Sequence, residues 1–282
     1  MALDDLTTDE TIVRSLLHDQ RPDLASLELR LVECGWGCRM WRLGADLALR
    51  LPRTEDAPGL IEREHRWLPG LAPLLPLPVP VPEYLGTPTE AFPKNWIVTT
   101  WVEGTPADVA PVTDAASAAV LGAFLTALHR PAPEEAAVAT DRGVPLKTFT
   151  MEFDDPALQA VWDDALAAPE WDGPPVWLHA DLHPANVVTA GGALTGVIDF
   201  GDICTGDPAT DLCAAWLLLP DPVAFFDHYE TDEATVRRSR GWALRRAVGL
   251  QHIGRAGVEG RHWGKPTWLP AGDAALERLL AT

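Results

Sequence analysis

Apolar residues recur along this chain with two periods, and the places where one gives way to the other mark its elements. Ile12, Val13, Leu16 and Leu17 fall on one face of a helical turn, which predicts a helix over residues 11–18. Thr7 and Glu10 stand three apart just before it, the spacing of a capping box, and Pro22 closes it. Residues 27–34 and 38–43 alternate apolar with polar, the pattern of antiparallel strands, about the turn Gly35-Trp36-Gly37. A hairpin turn needs glycine for positive φ, so this tripeptide has a structural reading beside any functional one. A third strand is predicted over residues 47–52 and a buried strand over 96–101. The prolines of residues 69–82 do not suit a continuous helix and predict an extended, stiff connector. Val102-Glu103-Gly104-Thr105-Pro106 breaks regular structure and sets the predicted division into 1–102 and 103–282.

Beyond that break, residues 114–129 carry Val120, Leu121, Phe124, Leu125 and Leu128 on one stripe, a core-facing helix. Residues 131–145 are a proline- and acid-rich link. Residues 155–168 predict another helix, with Trp162 and the acidic pair Asp163 and Asp164, whose first reading is a solvated face. Residues 236–253 form a basic amphipathic helix, after which an irregular tail is expected. The tail's Trp263 and Trp268 suit packing, or stacking on a sugar ring.

Composition narrows the classes. The chain has 282 residues, 47% of them hydrophobic, enough for two modest domains or one large one. A net charge of −19 excludes a nucleic-acid partner, whose phosphates would be repelled, and is compatible with a cationic one. Acidity also serves solubility alone. The apolar run over residues 71–85 is broken by five prolines, which excludes a membrane helix there. The first residues hold neither a basic region nor an apolar run, so no secretion signal is read and a cytoplasmic address is expected. Cysteines 34, 38, 204 and 213 form no CxxC pair and are expected as reduced thiols.

The chemistry-bearing residues gather in residues 176–202. His179-Ala180-Asp181-Leu182 precedes Asn186, then come two short apolar strands about Gly191-Gly192, then Asp199-Phe200-Gly201. This order matches the catalytic-loop and metal-loop signatures of protein kinases. Transfer of a γ-phosphoryl group needs a positioned acceptor hydroxyl and neutralised phosphate charge. Asp181 suits the first task, as the proton acceptor or the group that orients the hydroxyl. Asn186 and Asp199 supply a neutral and an anionic oxygen for Mg²⁺, and the hairpin between them brings distant ligands to one end of a ribbon. His179 reads as a loop-bracing side chain. A rival is a hydrolase-type metal cluster of His179, Asp181 and His183, which needs further ligands.

With Asp46-Leu-Ala-Leu-Arg50-Leu-Pro-Arg53, Leu60-Ile-Glu62-Arg-Glu64-His-Arg-Trp67-Leu68, Asn95 through Gly104, and Asp207 through Trp216, the chain resembles the aminoglycoside phosphotransferase family over residues 28–216. The resemblance implies a two-lobed, protein-kinase-like α+β fold, with a small antiparallel-sheet N-lobe and a mainly helical C-lobe. It implies transfer of a phosphoryl group from ATP or GTP, with Mg²⁺, to a hydroxyl of a small molecule, an aminoglycoside before a macrolide, sugar, choline or amino alcohol. Gly35 and Gly37 would cover the phosphates. Arg50 stands where kinases carry a lysine, with Glu64 as its partner. The backbone of Thr100 and Val102 would meet adenine, and Trp101 either the base or the core. Asp211 would brace the catalytic loop, and Asp202 and Asp207 would face the acceptor. The rival of another class is a nucleotide-binding, pseudokinase-like module, for which Arg50 in the lysine position leaves room.

Overall fold

The computed structural model describes residues 8–32 and 37–282, and the chain sorts into two units. The first takes the chain through Pro73, Val79–Val102 and Asp199–Asp202; the second takes Leu74–Pro78, Glu103–Ile198 and Ile203–Thr282. A division at Val102 is thus joined by an exchange of short segments.

In the first unit, α1 (Glu10–Gln20) is capped by Asp9, whose Oδ1 accepts from the Ile12 amide at 3.1 Å. Thr7, the expected cap, lies outside the described residues. Glu10 does not reach back as a capping box would; it pairs with Arg14 one turn on, at 3.1 Å. The strands β1 (Leu29–Val32), β2 (Cys38–Leu43) and β3 (Leu47–Pro52) are followed by α2 (Ala57–Leu71), β4 (Pro82–Gly86) and β5 (Trp96–Thr100). All pairings are antiparallel, in the order β1-β2-β3-β5-β4. Side chains alternate across a strand, so Trp41 and Leu43, Leu49 and Leu51, and Trp96 and Val98 share one face; they pack with Val13, Leu16 and Leu17 of α1 and with Phe92. The same alternation turns Arg50 to the opposite face.

Helix α2 runs past the expected stop, through Pro69 to Leu71, before a single 3-10 turn at Ala72–Leu74. Pro69 lacks one amide donor near a helix end, where the carbonyl left over is open to water, so the helix continues. Only the residues after that turn are extended. The buried positions of α2 are Ala57, Ile61, Glu64, Leu68 and Leu71. A carboxylate therefore occupies the apolar stripe.

The second unit contains β6 (Thr105–Pro106), α3 (Ser117–Leu128), α4 (Pro156–Ala167), β7 (Val176–Leu178), β8 (Val187–Ala190), β9 (Ala193–Val197), β10 (Cys204–Gly206), α5 (Ala209–Leu212), α6 (Ala214–Leu218), α7 (Glu233–Val258) and α8 (Trp268–Ala281). β7 pairs with β10, and β6, β8 and β9 form a second sheet. β8 and β9 are joined at Gly191 and Gly192, with φ of 58° and 84°. Two successive positive φ values match the twist of the flanking strands, and glycine takes them without strain.

Helix α7 packs against α4, α5, α6 and α8. The expected irregular tail is in fact α8. Pro270 falls in its first turn, where a missing amide costs nothing, and Gly272 lets it approach α7, since a Cβ there would stand 2.8 Å from the Ala247 carbonyl. Among the described residues no helix is long and apolar enough to cross a membrane.

At Gly86, a Cβ would lie 1.9 Å from Cε2 of Trp96, its partner across β4 and β5. Gly86→Ala is expected to lower stability by about 1–3 kcal/mol, the usual cost of overpacking a filled core, read as a lower denaturant midpoint for the tryptophan fluorescence transition.

Candidate active site

The loop after β7 is held by a carboxylate from elsewhere in the second unit. Asp211, fully buried in α5, accepts from the backbone amide of His179 at 2.7 Å and from that of Ala180 at 2.8 Å. Ala180 has a φ of 69°, a left-handed conformation that costs a non-glycine residue energy and survives where surrounding bonds impose it. Arg246 of α7 donates through Nη2 to the carbonyl of the same residue. Asp211 lies 3.4 Å from Nε2 of His129, whose Nδ1 meets the Tyr229 hydroxyl at 2.7 Å. Burial pushes the Asp211 carboxyl up, but the His129 contact, the charges of His129 and His179 and the backbone bond outweigh it, so its pKa is lowered.

Both nitrogens of His179 are engaged: Nδ1 accepts from the Asp181 amide at 3.3 Å, and Nε2 meets the Ile198 carbonyl at 3.0 Å. That is a bracing role, with no nitrogen left for a metal. Among the described residues no group of three or more His, Cys, Asp or Glu is arranged to hold a metal ion. His183 accepts from the Ala185 amide through Nδ1 and lies 3.4 Å from Asp181 through Nε2. Its ring meets Trp268 of α8 edge to face at 4.7 Å, so this tail tryptophan packs on the loop. Trp263 stacks on His252.

Asp181 is surrounded by positive charge. Its Oδ1 lies 2.7 Å from Nη1 of Arg246 and 3.1 Å from Nη1 of Arg142. Burial alone would raise its pKa; Arg246 first, then His183 and Arg142, hold the carboxyl well below the usual range. Asn186 donates through Nδ2 to the Asp181 carbonyl at 2.9 Å and to its Oδ2 at 3.1 Å, which fixes the amide and leaves Oδ1 as the ligand-type oxygen. The arginines were not anticipated. Their signal was the basic character of the amphipathic helix over residues 236–253, and nothing in the spacing of Arg142 marks it.

In the first unit, Arg50 and Glu64 meet as the sequence suggests. Nη2 of Arg50 lies 2.5 Å from Oε2 of Glu64, and the two residues are 8% and 0% exposed, which makes this a buried pair. Burial works against the guanidinium's charge, and the Glu64 carboxylate more than offsets it, so the Arg50 pKa is raised. Nε of Arg50 and Oε1 of Glu64 have no partner. Asp199 follows in a left-handed conformation, φ 64°, with its exposed carboxylate 3.8 Å from Nη1 of Arg50. One guanidinium thus faces two carboxylates.

The other predicted residues divide. Gly35 lies outside the described residues; Gly37 opens β2, and its carbonyl accepts from Arg53. The Thr100 amide is already bonded to the Val81 carbonyl at 2.8 Å, and its hydroxyl takes the Val81 amide at 2.9 Å, so its backbone donor is committed within the sheet. Val102 is buried. Asp202 is half-buried on a 3-10 turn. The acceptor role expected of Asp207 is overturned: it is buried, held by Arg238 at 2.7 and 3.2 Å, and accepts from the Ala209 amide ahead of α5. Its oxygens are spent on structure. Asp164 pairs with Arg237 at the surface.

The model of the APH phosphotransferase enzyme family matches residues 28–248. The chain belongs to that family. Membership places it among small-molecule phosphotransferases with an alcohol acceptor. A homoserine kinase of Beijerinckia indica subsp. indica is 31% identical over 189 residues, 54% of this chain; the match spans only 56% of that protein's length. The GDP complex of an aminoglycoside 2′-phosphotransferase-IIIa superposes with a TM-score of 0.67 at 19% identity, covering 97% of this chain and 99% of that one. A macrolide 2′-phosphotransferase from Brachybacterium faecium superposes with a TM-score of 0.60 at 25% identity, covering 94% and 97%. The fold these share is kinase-like: an antiparallel-sheet N-terminal part and a helical C-terminal part.

Two expectations follow from these buried pairs. Asp211→Ala leaves two buried amides unpaired and is expected to destabilise by at least about 2 kcal/mol, since each such amide costs about 1–3 kcal/mol. A lowered folded-state pKa means that the contribution of Asp211 is complete above its unfolded value, near 3.8, and is lost as pH falls through the folded value. Chemical denaturation of both proteins should therefore show a gap that is constant at neutral pH and closes only in acid. Arg50→Leu strands Glu64 in the core and is expected to cost about 3–5 kcal/mol, with the double variant Arg50→Leu/Glu64→Leu recovering part of the loss.

Proposed function

We propose that this protein is a nucleotide-dependent kinase of a small-molecule alcohol, in which Asp181 orients the acceptor hydroxyl for attack on the γ-phosphorus. The observation that carries the reading is the build of the loop: a carboxylate fixed by Arg246, beside an amide side chain fixed by that same carboxylate. The low pKa of Asp181 makes it a weak base. That suits phosphoryl transfer, whose loose transition state asks little of a base until the new P–O bond is largely formed. Asp181 holds the hydroxyl in line and takes the proton late; Arg246 keeps the carboxylate from turning.

Nucleotide use is supported by the GDP, ADP and ATP complexes among the proteins of like fold. In this reading Arg50, steadied by Glu64, grips the α- and β-phosphates, and the Thr100 carbonyl and Val102 amide meet the base. Asn186 and Asp199 offer one amide and one carboxylate oxygen, a donor set suited to Mg²⁺. When bound, Mg²⁺ neutralises phosphate charge. The cation and the roles of these residues belong to the proposal.

Two acceptor classes have support. Complexes with kanamycin and gentamicin occur among the proteins of like fold, at 20% and 17% identity, where likeness speaks for fold alone. The homoserine kinase match supports a hydroxy amino acid. Asp181→Asn is expected to lower kcat by about 10²–10⁴-fold, the usual worth of a positioned proton acceptor, with nucleotide affinity unchanged by fluorescence titration. Near-normal turnover would remove Asp181 from the mechanism. Because the ionised carboxylate is the active form, activity persists above its pKa, and Arg246→Leu, by letting that pKa rise, is expected to move the acid limb of the rate profile upward.

A further inference from the structure

The charge beside Asp181 is the reverse of what a polycation needs. Arg142, from the link before α4, and Arg246, on α7, both meet its Oδ1, at 3.1 and 2.7 Å. Arg245, next to Arg246, lays its guanidinium carbon 4.0 Å from the centre of the Phe149 ring and 5.5 Å from that of Trp242. Burial, then repulsion from Arg246 and Arg142 against the attraction of Asp141, lowers the Arg245 pKa. Arg142 and Arg246 face the Asp181 carboxylate, and the charge of the exposed Asp141 acts on Arg245. Like charges held together in a partly buried place need an anion near them.

The guanidiniums differ in what they are tied to. Arg246 spends one nitrogen on Asp181 and the other on the Ala180 carbonyl, so it belongs to the loop. Arg142 comes from irregular chain, beside Gly143 with φ 67°, and Arg245 rests on aromatic faces rather than on a carboxylate. Both arginines can present a planar fork to an incoming anion.

We propose that Arg142 and Arg245, backed by Arg246, bind a compact anionic group of the acceptor, so that the enzyme phosphorylates a short hydroxylated acid rather than a polycation. This rests on the reading of Asp181 as the residue that orients the acceptor hydroxyl. The carboxylate of Asp181 holds Arg142 until the acceptor's anion, a carboxylate or a phosphate, takes it over. An anion on Arg142 and a hydroxyl on Asp181 then belong to the same short molecule, because the two side chains touch.

The test is turnover of the full chain with Mg²⁺ and ATP or GTP, followed by mass spectrometry. The panel has four arms: kanamycin and gentamicin; neutral sugars; hydroxy acids and hydroxy amino acids such as glycerate, serine, threonine and homoserine; and glycerol and sugar phosphates. A phosphate mass gain confined to the third or fourth arm supports the proposal and tells carboxylate from phosphate. Arg142→Gln and Arg245→Gln should then each raise KM for that acid by roughly 10- to 100-fold, the worth of a charge-assisted hydrogen bond, with kcat changed much less. Phosphorylation of a polycation or a neutral sugar, with KM unmoved in both variants, overturns it. Where no arm turns over, calorimetric titration with the same acids decides, and absence of binding by every one of them overturns it. Asp181→Asn separates the two readings. Loss of turnover with acid binding kept or tightened upholds both, since the internal anion has been removed. Undiminished turnover of the acid defeats the role of Asp181, while the KM shifts still judge the anion site.

Discussion

The grip of one buried carboxylate on two successive amides is the constraint from which the catalytic loop follows. A strand leaving β7 has no reason of its own to enter the left-handed region at an alanine. Asp211 supplies the reason, because its two oxygens meet the His179 and Ala180 amides at hydrogen-bond distance only when the chain turns there. That turn aims Asp181 at Arg246 and brings Asn186 back onto Asp181. His129 and Tyr229 close the far side of Asp211, so the clamp reaches from α3 to the residues before α7. The loop is rigid because its anchor cannot be hydrated without opening the core.

Net charge says little about the field at one point in a folded chain. A total of −19 suggests a surface that draws cations. Yet the carboxylates that fold inward are matched one by one, Glu64 with Arg50 and Asp207 with Arg238, and Asp181 meets more guanidinium than it can neutralise. Acids in excess on the outside serve hydration; the balance inside is set by pairing, since an unpaired buried charge costs several kcal/mol.

The legible parts of this protein were those written in local period or short motif. The strands, the Gly191-Gly192 hairpin, the core stripe of α3 and the loop from His179 to Asn186 each follow from residues within a few positions of one another. The partnership of Arg50 with Glu64 was expected from the family resemblance alone; the structure shows the pair, with the glutamate in the apolar stripe of α2. What escaped was set by distance along the chain. Arg142 and Arg246 are brought to Asp181 by packing of α7, and no spacing announces it. Asp207 looked like a ligand residue and proved to be the partner of Arg238, from a helix that begins 26 residues later. Helix α8 was hidden by a proline and a glycine that read as breakers but sit where a helix start and a close crossing use them.

Glu64, Asp181 and Asp207 are each met by arginine, and the geometry gives a reason beyond a bias of composition. Arg246 bonds a side chain with one nitrogen and a backbone carbonyl with another; Arg238 bonds Asp207 twice and the Pro169 carbonyl besides; Arg50 faces Glu64 and Asp199 from two nitrogens. A lysine ammonium is a point charge on a flexible stem and cannot span two acceptors set apart in a plane. The planar fork therefore fixes an angle as well as a charge. Arg50 in β3 is a cation tied to two carboxylates at once, so its direction is settled by Glu64 and Asp199 together.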